Sequence, residues 1–353
     1  MSVLFAVLIF SLLIFVHEFG HFFTAKLCGV QVNEFAIFMG PALFKKQVGE
    51  TLYSIRCIPF GGYCAMEGED EETDNPRSFQ KAAWWKRLII LVAGSAMNFL
   101  TGLIIYLALF LPAEQIVVPE IVEFTDCCIF ATEDGLHLGD EFVSIDGERV
   151  YNVGDITTLL GLNPSGTHDL VILRNGQEIA FRDYAMTHTH ENEDGTTYQH
   201  YGFTFGRAQD ASLGEKIRYV WNLTVDNVRM VRLSLKMLVT GQVGLNEMAG
   251  PVGIVSEMSQ IAAESQTTGI ALLNLLSVGA FLAINLAVMN LLPIPALDGG
   301  RAVCLLLTTA AEFVTGKKID PKYEGYLHAV GMVALLGLMA VILFKDIFVL
   351  IRG

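Results

Sequence analysis

Charge is scarce in this chain. Only 17% of its 353 residues are Asp, Glu, Lys or Arg, against 52% hydrophobic residues and a mean hydropathy of +0.48. That balance excludes an ordinary soluble enzyme and points to a protein embedded in a bilayer. Basic residues are scarcer still, 23 against 37 acidic ones, and the net charge is −14. Residues 112–271 carry the whole imbalance, so this segment reads as an acidic, water-exposed domain that disfavours nucleic acid and anionic lipid. No basic segment precedes the first apolar run, and no small-residue cleavage site ends it. The run is expected to be a retained helix and not a cleaved signal peptide. The six cysteines (Cys28, Cys57, Cys64, Cys127, Cys128 and Cys304) include no CxxC pair, which argues against a zinc–thiolate site and leaves free or individually packed thiols. No repeat of 20–50 residues is present.

What the first apolar run does contain is His17-Glu18-Phe19-Gly20-His21, an HExxH motif. On a helix, residues four apart share a face, so His17 and His21 are placed to hold one Zn²⁺ with Glu18 beside it as general base. Burying three such side chains in an apolar helix is costly unless they serve a function. The context is therefore more informative than the motif.

Four apolar runs approach the ~20 residues that a bilayer-spanning helix needs: Val3–Phe23, Leu88–Leu111, Ile270–Leu292 and Leu327 to Leu350. Loop 24–87 is rich in Lys and Arg and the short loop 293–326 carries several more, so both are expected to be cytoplasmic. Residues 112–271 and both termini then face the other side. In the first loop, Val30–Met39, Ala42–Val48 and Thr51–Ile58 have strand composition around turns at Gly40-Pro41 and Gly49-Glu50. This region is either an edge able to pair with an extended peptide or a sheet covering the catalytic helix. The acidic run Glu67–Asp74 that follows has no assigned function.

Short strands are expected at Gln115–Phe124, Glu141–Ile145, Leu170–Leu173 and Glu178–Tyr184, with a helix over Tyr151–Leu162. The stretch Gly135-Leu-His-Leu-Gly-Asp140 through Ile145-Asp-Gly147 resembles a PDZ domain, although no carboxylate-binding loop is evident. His188, His190 and His200 lie in a polar stretch that reads as a solvated loop or a second metal site.

A catalytic zinc takes three protein ligands and one water or substrate. The third apolar run ends Asn290-Leu-Leu-Pro293-Ile-Pro295-Ala-Leu-Asp298-Gly299-Gly300. The first and third spans run in the same direction, and each places its polar motif near its cytoplasmic end. Pro293 and Pro295 must break the helix there, and Asp298 on the broken segment is the best third ligand.

These motifs, with Phe60-Gly-Gly-Tyr63 and Gly250-Pro-Val-Gly-Ile254, resemble the site-2 protease family of intramembrane zinc metalloproteases. Within it the chain is most similar to the bacterial regulator-of-sigma-factor branch. The resemblance covers nearly the whole chain in family order. It implies that His17, His21 and Asp298 bind zinc and that Glu18 is catalytic. It implies further that Asn290, Pro293 and Pro295 position substrate. The implied substrates are single-span membrane proteins, such as anti-sigma factors trimmed by an upstream site-1-type protease or remnant signal peptides. The chain departs from some relatives in having one PDZ-like domain and in placing Arg301 after Leu-Asp-Gly-Gly.

The expected fold is a polytopic α-helical protein of the cytoplasmic (inner) membrane, with about four transmembrane helices, a membrane-associated β-hairpin region and an inserted PDZ-like α+β domain. The expected division is 1–111 and 270–353 as two catalytic membrane halves, 112–190 as the extracytoplasmic PDZ-like domain, and 191–269 as a linker with an amphipathic segment. Two rival readings are a non-catalytic membrane adaptor and a membrane-anchored zinc peptidase of unfolded proteins. The second would draw its third ligand from a downstream helical glutamate, and Glu312 and Glu324 are less well placed than Asp298.

Overall fold

The computed structural model describes residues 2–69, 73–125, 130–163, 165–186, 189–191, 197–199, 201–241, 244, 250–265, 267–316 and 322–352. Its contacts form two compact units, Met1–Tyr106 with Asn227–Gly353, and Leu107–Asp226. The first unit opens with α1 (Ser2–Cys28), apolar enough to span a bilayer, which stops where Gly29 (φ 80) turns left-handed. A long antiparallel hairpin follows, β1 (Val32–Val48) and β2 (Thr51–Met66). It doubles back on itself, so that Ile37 faces both Ile55 and Gly62 and the first half of β1 lies between the two halves of β2. Gly40-Pro41, expected as a turn, instead lies inside β1. Left-handed Phe38 (φ 71) and Gly40 (φ 83) bulge the strand there without ending it. Arg56 fastens the folded hairpin, donating to Glu34 Oε1 at 2.8 Å, to the Gly40 carbonyl at 2.6 Å and to Tyr63. The helix α2 (Trp84–Phe110) completes this stretch.

The second unit contains β3 (Gln115–Phe124), β4 (Glu141–Ile145), β5 (Glu148–Arg149), α3 (Val153–Leu162), β6 (Thr167–Arg174), β7 (Gln177–Ala185), β8 (Thr189–Glu191), β9 (Thr197–Gln199), β10 (Phe203–Asp210) and the first turns of α4 (Leu213–Thr240). Its main sheet runs β10-β3-β4-β6-β7, with β5 on β4. Alternation in β6 buries His168, Leu170 and Ile172 on one face. The Asn152 side chain caps α3, accepting from the Gly154 N–H at 2.8 Å, and Ile156, Leu159 and Leu160 are buried beneath it. The expected linker from residue 191 needs correction, because β10 pairs with β3 and carries the sheet on to Asp210. That pairing is non-local and leaves no periodic mark at the point where it begins. His188, His200, Cys127 and Cys128 lie outside the described residues, as does the side chain of His190.

The first unit resumes with the rest of α4 and then α5 (Pro251–Glu264), α6 (Thr268–Asn290), α7 (Asp298–Thr315) and α8 (Lys322–Arg352). Among the described residues, four helices are long and apolar enough to cross a bilayer: Phe5–Cys28, Trp84–Phe110, Thr268–Asn290 and Gly325–Asp346. The chain is a membrane protein with an attached β region. Two apolar clusters organise the first unit. One joins the end of α1 to the hairpin, α2 and α7 through Ala25, Phe35, Ile90 and Leu305. The other joins the start of α1 to α5 and α6 through Ile9, Leu13, Met258 and Ala283.

In the second unit Asp140 is fully buried and accepts from Arg174 Nε, Arg174 Nη2 and the His137 N–H, each at 2.7 Å. Removing the carboxylate leaves Arg174 and the His137 N–H without these bonds, at a cost of about 1–3 kcal/mol. Asp140→Ala should therefore speed amide hydrogen exchange across β4 and β6 of the full chain, while wild-type protection would contradict this account.

Candidate metal centre

The site begins with how closely α1 and α2 approach. A Cβ on Gly20 would lie 2.5 Å from the Ala93 carbonyl oxygen, and one on Gly94 would lie 2.4 Å from His21 Nε2. Only hydrogen at these two positions lets the helices meet with both imidazoles between them. His17 and His21 are buried, one helical turn apart, with their Nε2 atoms 3.2 Å from each other.

The third group arrives on a broken chain. The helix α6 ends at Asn290, two prolines prevent its continuation, and α7 begins at Asp298. The return path is tight. A Cβ on Gly299 would sit 2.2 Å from the Leu291 carbonyl, and one on Gly300 would sit 2.2 Å from the Ile294 carbonyl oxygen. The two glycines thus press the first turn of α7 against the chain that precedes it. Asp298 Oδ2 then lies 3.1 Å from His17 Nε2 and 3.3 Å from His21 Nε2.

These three ligand atoms lie within 4.8 Å of one another, and they form the sole such cluster among the described residues. Asp298 Oδ2 is buried and takes no hydrogen bond among those residues, so the two imidazole nitrogens are what faces it. The surrounding groups suit a metal. His21 Nδ1 lies 2.8 Å from the Ile90 carbonyl, which fixes the proton on Nδ1 and leaves the Nε2 lone pair pointing into the cluster. His17 Nδ1 is 3.5 Å from the side-chain amides of both Asn98 and Asn290. Asn98 Oδ1 is buried without a partner as placed, and exchanging the oxygen and nitrogen of that amide turns Oδ1 towards His17 Nδ1–H. Both imidazoles then present Nε2 as ligand atoms. Three lone-pair donors with no shared proton fit a divalent cation with one open position.

Glu18, next on α1, faces β2. A Cβ on Gly62 would lie 3.6 Å from Glu18 Cγ and 3.0 Å from the Ala36 carbonyl oxygen. The extended edge beside Glu18 is therefore the Gly62–Met66 end of β2, and not the strands within 30–58 that the sequence suggests. Arg301, three residues beyond Asp298, is ion-paired with Glu69, which gives a role to part of the acidic run read above as functionless. Asn290 stands beside His17, while Pro293 and Pro295 lie in the link to Asp298. Sequence reasoning missed Gly94 and Asn98. The signal for Asn98 was present, since a polar residue inside the apolar run Leu88–Leu111 invites the same question as His17.

A buried two-histidine, one-carboxylate cluster with a glutamate at its flank, in a chain with four helices long and apolar enough to cross a bilayer among its described residues, is a candidate centre of the metallohydrolase class. The comparisons agree with that class. The model of peptidase family M50 matches residues 5–338. The chain is 37% identical, over 98% of both sequences, to the Clostridium perfringens protein named "Putative zinc metalloprotease CPE1693". It is 31% identical to the zinc metalloprotease RasP of Oceanobacillus iheyensis and 28% identical to the regulator of sigma-W protease RasP of Bacillus subtilis, over 97% of each chain in both cases. The chain belongs to peptidase family M50.

The close approach at Gly94 makes a direct test. Alanine favours helix over glycine by roughly 0.5–1 kcal/mol, so Gly94→Ala does not weaken α2 by propensity. Its Cβ nevertheless needs the space of His21 Nε2. The purified variant should hold well under half the metal of wild type by elemental analysis, and equal content would refute the packing argument.

Proposed function

We propose that this chain is an intramembrane zinc metalloprotease, with His17, His21 and Asp298 as ligands and Glu18 as general base. The observation that carries the reading is the convergence of Asp298 Oδ2, at the start of α7, on His17 Nε2 and His21 Nε2 inside the apolar helix α1. Zinc, when bound, supplies the Lewis acidity that makes water nucleophilic near neutral pH. Glu18 takes the proton of the attacking water and returns a proton to the leaving amine. Asn290, Pro293 and Pro295 position the substrate on the side of His17 where the chain is unwound. A scissile bond inside a transmembrane helix is shielded by its own hydrogen bonds, so the substrate unwinds locally before it is cut.

The substrates proposed are single-span proteins such as anti-sigma factors trimmed by an upstream site-1-type protease, or remnant signal peptides. The naming of the Bacillus subtilis relative as a regulator of sigma-W protease supports the first class. The sheet with its capped helix α3 supports the PDZ-like reading of the Leu107–Asp226 unit. The protein is proposed to lie in the cytoplasmic membrane with this unit on the extracytoplasmic side.

Two experiments test these readings. Glu18→Gln should keep its metal but lose at least about 10²–10⁴-fold in cleavage rate, whereas His21→Ala should lose the metal itself. Activity of Glu18→Gln within tenfold of wild type, or full zinc content in His21→Ala, defeats the assignment. For sidedness, single cysteines are placed at Lys81 and at Glu178 in a background lacking native thiols. An impermeant thiol reagent should label Glu178→Cys in intact cells and Lys81→Cys only after permeabilisation. The reverse pattern overturns the topology.

A further inference from the structure

The segment carrying Asp298 has few internal means of support. Pro293 and Pro295 have no N–H, Ile294 N–H donates to the Leu292 carbonyl, and Leu297 N–H donates to the Ile294 carbonyl. Between them stands Ala296, whose φ of 83 places an L residue in left-handed backbone that favours glycine. Such a conformation persists only where its surroundings enforce it. Its N–H is directed out of the segment and donates to His328 Nδ1 at 3.0 Å. In apolar surroundings a backbone donor needs an acceptor, and here an imidazole provides it. Because Nδ1 accepts, the ring proton resides on Nε2.

His328 lies on α8, a helix with almost none of its membrane window buried. Leu327, Val330 and Val333 around it are exposed, while His328 itself is half-buried. One turn further on, a Cβ on Gly331 would lie 2.5 Å from Pro295 Cβ and 2.6 Å from the Pro295 carbonyl oxygen. The same face of α8 thus presents a glycine to Pro295 and an imidazole acceptor to Ala296.

We propose that His328 is a positioning residue for Asp298, acting through the Ala296 N–H. This rests on the reading of Asp298 as a metal ligand. The bond from Ala296 holds the left-handed kink, the kink sets where α7 begins, and that start sets where Asp298 Oδ2 meets the two imidazoles. His328 touches neither the ligands nor the reacting atoms.

The test compares wild type with His328→Leu, which fills the site without an acceptor, and His328→Asn, whose Oδ1 occupies the place of Nδ1. Zinc release into excess chelator is measured on each purified zinc-loaded protein, beside kcat on a transmembrane peptide. His328→Leu should release zinc about tenfold faster or more, the effect expected of removing a group that orients a ligand. Its kcat should fall with KM little changed, and His328→Asn should recover both quantities to within about threefold of wild type. Wild-type zinc release by His328→Leu overturns the proposal, as does equal impairment in Leu and Asn, which would assign the effect to ring volume. Asp298→Ala separates the two levels of inference. If that variant retains zinc, the ligand reading fails; if it is metal-free while His328→Leu behaves as wild type, the positioning role alone fails.

Discussion

Two imidazoles and a carboxylate cannot be left in an apolar bundle without partners, and this requirement governs the architecture. Isolated polar groups in such surroundings cost several kcal/mol each. The chain meets the requirement by aiming the three at one another and surrounding them with the Ile90 carbonyl and the Asn98 and Asn290 amides. Everything that brings these groups together follows from it. Glycines at 20 and 94 allow α1 and α2 to touch, and those at 299 and 300 let the start of α7 return against the end of α6. Prolines at 293 and 295 stop α6 from carrying the chain past the site.

Against that requirement, parts of the molecule were legible in the sequence and parts were not. His17, Glu18 and His21 could be read because a helix converts a spacing of four directly into a shared face. Asp298 could be read because two prolines in an apolar run announce backbone that must be satisfied locally. The four spans and the strands β3, β4, β6 and β7 were visible for the same reason, each carrying its own periodicity or composition. Gly94 could not be read, since a glycine in a helix acquires its meaning only from the helix that crosses it. Asn98 and His328, polar residues in apolar runs, went unread because their partners belong to other elements.

The hairpin and β10 show the other limit. Gly40-Pro41 has the composition of a turn, yet the strand continues through it because Arg56 and the paired strands over-determine the path. β10 joins β3 across about eighty residues of intervening chain, and no local pattern records a partner that distant. Tertiary pairing overrode turn propensity in the first case and extended the sheet in the second.

The bareness of α8 bears on how its sequence is free to change. Val330, Val333, Leu336, Val341 and Phe344 are all well exposed, so at those places the helix meets only what surrounds the protein. Any side chain of suitable hydropathy serves equally well there, and drift should be close to neutral. His328, Gly331, Ile342 and Asp346 are different, because each touches another element: Ala296, Pro295, and the Gly250–Gly253 entry to α5. The helix therefore carries two kinds of information, a solvent preference at its exposed positions and a fixed identity at positions such as these four.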